Sequence, residues 1–294
     1  MKKNMRWLFT MILTGCLTIT AYAQAPIRVG MMESYKDDVL KLSSGKREGY
    51  HQIMHFSKCP PLDSPLLKDI QRNTLELMIV CHALRNSNLG NAFILIPSPN
   101  VKRTLLKLEQ DGIDIDGNSK FRRALINRNL LVSDDLLRVG EFELGLFSTR
   151  DRKEVLNLKT MAALRKHIGV TVEHWKMDRA VMEQLNLKKV RFVGKGPHLY
   201  RAIHSKRADF TFSVLKEKKV RNGEGELIRI EGFKASLPNA RVLAISPNRK
   251  DIHVAIQRFI SKNREPIDYI KNAYIHAGVI PAEYQHWIDV RTAK

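Results

Sequence analysis

Short apolar runs alternate along this chain with longer segments in which apolar positions return every three or four residues, the signature of strands interleaved with amphipathic helices. Residues 27–32 (IRVGMM) read as a buried strand. Between residues 65 and 85, Leu66, Ile70, Leu77, Val80, Cys81 and Leu84 mark one face of a helix that Asp63 or Ser64 could cap. A strand over 92–96 follows, then the turn Pro97-Ser98-Pro99-Asn100 and a helix over 101–110 that turns Leu105, Leu106 and Leu108 to the sheet. Gly112 stops that helix, and residues 113–115 form a very short strand running into Gly117-Asn118-Ser119.

The pattern restarts after Arg150. Helices are predicted over 158–166, 177–187 and 197–205, and strands over 169–173, 190–193, 209–214 and 241–246. Two more helices (252–262, 267–277) and an amphipathic end (284–290) should pack back on the first unit. Alternation of this kind predicts an α/β protein of two lobes, each a mostly parallel sheet flanked by helices, joined by a two-strand hinge. The apolar strand 143–147 is read as the first crossing and the neighbourhood of Ala244 as the second. The expected layout is therefore a leader over 1–23, lobe 1 over 24–147, lobe 2 over 148–244, and a return to lobe 1 over 245–294.

The leader changes the compartment. Lys2, Lys3 and Arg6 precede an apolar stretch too short to span a bilayer, and Ala21-Tyr22-Ala23 offers a signal-peptidase site, so export to the periplasm with cleavage after Ala23 is expected. Leu13-Thr14-Gly15-Cys16 resembles a lipobox and leaves a lipoprotein anchored at Cys16 as the alternative. In an oxidising compartment Cys59 and Cys81 can form a disulfide; a free buried Cys81 in the run 77–81 is the competing reading.

A formal charge of +20 suits an acidic ligand, an anionic surface or simply a cationic exterior. Nucleic acid is the weakest partner, because no zinc spacing, basic-region helix or aromatic-glycine RNA motif organises the cations. The histidines show no His-x-x-x-His pattern with a nearby glutamate and no serine sits in a Gly-x-Ser-x-Gly elbow, so hydrolase chemistry, a metal and a cofactor are not expected.

Three stretches carry a family resemblance: residues 96–103 followed by 108–115, Lys206-Arg207-Ala208-Asp209-Phe210, and residues 270–287 with their glycine and final tryptophan. In this order they resemble the type II periplasmic solute-binding proteins, in particular the extracellular amino-acid receptors of ABC transporters. The resemblance implies a monomer that closes two lobes around a small molecule and can hand it to an inner-membrane ABC permease. It also implies where the ligand sits. Ligands of such a fold occupy the crevice at strand carboxyl ends and helix amino ends. That places Glu33 and Tyr35 after the first strand, Asn118, Ser119 and Arg122 after the third, Trp175 and Lys176 at a strand–helix junction, and Ser213 on lobe 2 among the expected contacts.

Ser119-Lys120-Phe121-Arg122 is similar to the family's Thr-x-x-Arg, whose guanidinium holds a carboxylate through its planar fork; a solvated basic face competes with that role. Trp175 can equally be core, and Gly194-Lys195-Gly196-Pro197 can cradle an anion or be an ordinary turn. Where amino-acid receptors carry an aspartate for the ligand's ammonium, Phe212, Ser213 and Val214 stand here. The expected function is thus capture of an anionic, carboxylate-bearing or neutral metabolite without catalysis. The alternatives are a dehydratase-like enzyme using Glu33 or Glu173, and a sensor or envelope interaction module.

Overall fold

The structure, a computed structural model, describes residues 26–33, 39, 47, 48 and 51–293. The expected leader, its expected cleavage site and Cys16, together with Tyr35, lie outside the described residues.

In chain order the elements are β1 (Ile27–Met32), β2 (Arg47–Glu48), β3 (His51–His55), α1 (Arg72–Arg85), β4 (Ala92–Ser98), α2 (Val101–Glu109), β5 (Ile115–Asp116), β6 (Lys120–Phe121) and β7 (Leu131–Leu137). Then come β8 (Glu143–Ser148), α3 (Lys153–Leu156), α4 (Met161–Leu164), β9 (Ile168–Val172), α5 (Lys176–Gln184), β10 (Lys189–Val193), α6 (Pro197–His204), β11 (Thr211–Val214), β12 (Lys219–Asn222) and β13 (Gly225–Ser236). The chain closes with β14 (Arg241–Ile245), α7 (Lys250–Lys262), α8 (Tyr269–His276) and β15 (Ile288–Asp289).

The first sheet runs β2-β3-β4-β1-β5-β14-β6, with β7 also on β14. In the second, β11-β8-β13-β12 is extended by β15 on β13. A parallel bridge from Gly169 to Phe210 joins the β10-β9 pair to this sheet. The chain is therefore two α/β lobes, and three segments connect them: residues 138–142, residues 237–240, and residues 277–287 between α8 on lobe 1 and β15 on lobe 2. Strand 143–148 pairs wholly within the second sheet and Ala244 wholly within the first, so the first two links lie a few residues before the positions expected from the sequence, and the third was not expected. The apolar character of both strands reflects two-sided burial rather than a passage between lobes.

Among the described strands, parallel ladders join β1 with β4 and β5, β9 with β10, and β13 with β15, beside the Gly169–Phe210 bridge. The linking strands run back antiparallel, which makes both sheets mixed. In lobe 1 a core of Val29, Leu75, Met78, Phe93, Leu243, Ile256 and Tyr274 fills one face and Leu105, Leu108, Ile113 and Val242 the other. Lobe 2 is likewise filled on two faces, around Phe210 and Phe233 and around Phe147 and Leu199. Each such side chain, fully buried, contributes about 1.5–3 kcal/mol.

Two aspartates inside the resemblance motifs do matching structural work. Asp114 accepts the backbone N–H of Arg28 at 2.7 Å, and Asp209 accepts that of Ile168 at 2.7 Å, so each pins the start of a strand. Arg28 and Arg249 neutralise the first, Arg152 the second.

Two local expectations change, and a stretch given no element from the sequence gains a hairpin. The single helix over 65–85 splits into a 3-10 turn Pro65–Leu67, capped by the Ser64 hydroxyl, and α1. The stretch 215–236, without clear periodicity, forms the β12–β13 hairpin. Residues 284–290 form no helix and pack on lobe 2, because β15 pairs with β13 and the Tyr284 and Trp287 rings cover the Arg229 guanidinium at 4.2 and 4.8 Å. Cys59 and Cys81 are joined as a buried disulfide, Cα–Cα 6.2 Å, tying the loop before α1 to that helix. No helix among the described residues is long and apolar enough to cross a membrane.

Candidate functional site: a cationic cleft between the lobes

A cleft of about 1150 Å³ separates the lobes. Lobe 1 supplies Arg72, Glu109, Phe121, Arg123, Arg128 and Arg241, the first link supplies Phe142, and lobe 2 supplies His174 through Asp178. Five of the lining side chains are Arg or Lys and two are carboxylates.

Its floor is built around one buried carboxylate. Arg72 opens α1 and Glu76 follows one turn later on the buried face, at 2.7 Å from Arg72 Nη1. The tight loop 117–119 brings Ser119 against it, and Gly117 permits that approach: a Cβ there would meet Leu77 at 2.8 Å and the Gly30 carbonyl at 3.0 Å. Ser119 donates its hydroxyl to Glu76 at 2.5 Å and its N–H at 2.7 Å. Tyr274 donates from the other side at 3.2 Å.

Arg241 opens β14 beside Phe121 of β6. Its Nε donates to the Ser119 hydroxyl at 2.8 Å and its Nη2 to the Ser119 carbonyl at 2.6 Å. The guanidinium lies 4.6 Å from the Phe121 ring centre and 4.9 Å from that of Phe142. Its Nη1 makes no hydrogen bond among the described residues.

The electrostatics follow from this packing. Burial acts to raise Glu76, yet Arg72, Arg241 and the Ser119 bonds overcome it and hold the carboxyl below its usual range. Burial, then the Arg72 charge, pushes Arg241 down to about 9, so it stays a cation at neutral pH. Arg72 and Arg241 thus meet at Glu76 in a site partly shielded from water, where a carboxylate, sulfonate or phosphate can accept from the Nη1 of Arg241. Across the cleft, burial raises Asp178 to about 6. No group of His, Cys, Asp and Glu that could hold a metal ion occurs among the described residues.

Of the residues singled out from sequence, Trp175 and Lys176 line the cleft. Trp175 is 39% exposed and its ring lies 3.8 Å from where a Gly196 Cβ would stand. Asn118 and Ser119 are buried behind the floor: Asn118 donates to the Asn73 carbonyl at 3.0 Å, and Ser119 accepts from Arg241 and, at 3.2 Å, from Arg72. Arg122 turns away, donating to Asp135 at 2.7 Å and to the Ser133 carbonyl at 3.1 Å, while its neighbour Arg123 faces the cleft. Glu33 and Glu173 are exposed and outside the lining, and Ser213 sits in β11 paired with Gly145, also outside it.

Sequence reading passed over Arg72, Arg123 and Arg241. The signal that could have found Arg241 is its place just after Leu237-Pro238-Asn239-Ala240, a link-forming break that leads into a strand.

No family model and no curated protein matches the chain. Among solved structures it is similar to the periplasmic VFT2 domain of Bordetella pertussis BvgS, at 14% identity over 70% of this chain and 83% of that one, TM-score 0.48. It is also similar to the probable amino-acid ABC transporter extracellular-binding protein ytmK of Bacillus subtilis, at 14% identity over 85% and 96%, TM-score 0.47. A mutant of ArgBP from T. maritima matches at 13% identity over 85% and 93%, TM-score 0.42.

Proposed function

We propose that this chain is a periplasmic solute-binding protein that captures a small carboxylate-bearing anion between its lobes and closes on it about the segments that link them. The observation that carries the reading is Arg241: a buried guanidinium at the cleft floor, framed by two aromatic rings, with one Nη aimed at no protein acceptor among the described residues. Lys176 and Trp175 on the opposite wall would meet the other end of the ligand, and a closed state bridged in this way is favoured only when the ligand touches both lobes. An ABC permease is the natural recipient of such a ligand.

A thermal-shift panel of amino acids, dicarboxylates, aromatic acids, sugar phosphates and short peptides tests the reading, since ligands of the native state raise its melting temperature. Shifts confined to anions support it. Shifts with cations alone, or none across the panel, count against it.

Asp178 favours a second reading, an enzyme of dehydratase-like chemistry in the same cleft. A lining carboxyl raised to about 6 is suited to general acid work near neutral pH. An Asp178→Asn variant that loses turnover of a bound carboxylate while retaining its binding would select this reading over simple capture.

A further inference from the structure

On lobe 2, away from the cleft, β10 forms the free edge of the β10-β9 pair, and none of the described strands lies on its outer side. Its alternation is clear: Val190 packs toward the α5 side and Phe192 lies under Arg179 of that helix, whereas Val193 packs with the α6 core. Lys189 and Arg191 therefore share the α6 side. There they border a groove of about 540 Å³ with His198 and Arg201 of α6 and Arg207 just beyond it. No carboxylate lines this groove. Arg201 is answered by Glu224 at 2.5 Å, but Lys189, Arg191 and Arg207 have no ion-pair partner among the described residues. The Arg191 Nε is buried with no hydrogen-bond partner.

The backbone of the edge is also open. The Val193 carbonyl accepts from Glu173, on the β9 side, at 3.0 Å, so strand alternation turns the N–H and C=O of Val190 and Phe192 outward. Lysine and arginine on an edge often serve only to repel other edges. Here they repel a second copy of this +20 chain in particular. Charges from the strand, the helix and the following loop converge on one groove, however, which a repelling edge does not require.

We infer that β10 and the groove beside it form a docking edge for an extended acidic polypeptide segment, which adds as a strand along β10 and lays alternate carboxylates over Lys189, Arg191 and Arg207. Main-chain bonds give such a contact its affinity and the side-chain pockets its specificity. The site is separate from the cleft, so failure of either leaves the other standing.

Fluorescence anisotropy with a labelled peptide of alternating glutamate and threonine tests this, beside the same peptide N-methylated at every second residue and beside phosphatidylglycerol vesicles. The expected result is binding of the unmodified peptide, at least tenfold weaker binding after N-methylation, and at least tenfold weaker binding to an Arg191→Glu, Arg207→Glu double variant of unchanged melting temperature. Equal binding of the N-methylated peptide, equal binding by the double variant, vesicle binding without peptide binding, or no binding at all overturns the inference.

Discussion

Ser119 receives the Arg241 guanidinium twice, on its hydroxyl at 2.8 Å and on its carbonyl at 2.6 Å, while giving its own hydroxyl to Glu76. The serine thus fixes the direction of a charge that belongs to a strand more than a hundred residues later. The planar fork is held on one side and presented on the other, which pre-organises it for an anion and lowers the ordering cost of binding.

Arg241→Ala should weaken an anionic ligand by about 2 kcal/mol or more, roughly thirtyfold, measured by calorimetric titration. Arg123→Ala, at an exposed cleft residue, should weaken it less and leave stability unchanged. Arg122→Ala should leave affinity at the wild-type value, since that side chain is spent on Asp135 and the Ser133 carbonyl. A loss at Arg122 matching that at Arg241 would return the site to the Ser119–Arg122 motif.

The contrast between these arginines marks what was legible in the sequence. Periodicity and strand-end logic located the alternating lobes and the lobe 2 wall, Trp175 and Lys176, because both depend on neighbours a few residues apart. The floor depends on pairing between β6 and β14, 120 residues distant, and no local pattern encodes that register. Arg122 and Arg123 are indistinguishable by composition, and only the turn after β6 decides which faces the cleft. The tail 284–290 misled for a related reason: its amphipathic spacing is real, but Tyr284 and Trp287 serve Arg229 on lobe 2 rather than a helix face.

Glu76→Ala would remove the carboxylate beside the buried Arg241 guanidinium, at a cost of about 3–5 kcal/mol in chemical denaturation at neutral pH. The wild-type carboxyl is depressed on folding, so its contribution is present above about pH 4.5 and fades as pH falls through the folded value. In Glu76→Gln that part of the acid sensitivity should disappear.

Asp178 is shifted the other way. With its carboxyl raised to about 6 by burial, it is largely neutral at pH 5 and charged at pH 7.5. For a ligand already ionised at pH 5, affinity should fall severalfold as pH rises through 6, because the cleft gains a negative charge. Asp178→Asn should flatten the profile; a pH dependence that survives the substitution assigns it elsewhere.

The Cys59–Cys81 link closes a loop of 22 residues, for which chain entropy predicts about 3 kcal/mol. Reduction should lower the melting temperature of the protein, and a Cys59→Ser, Cys81→Ser variant should melt at the reduced value in both conditions. Melting unaffected by reductant would mean that the thiols contribute by packing alone.

Closure on a ligand is the central claim, and small-angle X-ray scattering of the protein reads it directly, with and without the anion that gives the largest melting shift. The account predicts a smaller radius of gyration in the bound state and no change for Arg241→Ala under the same conditions. A radius of gyration unaltered by a saturating ligand would contradict capture by hinge closure.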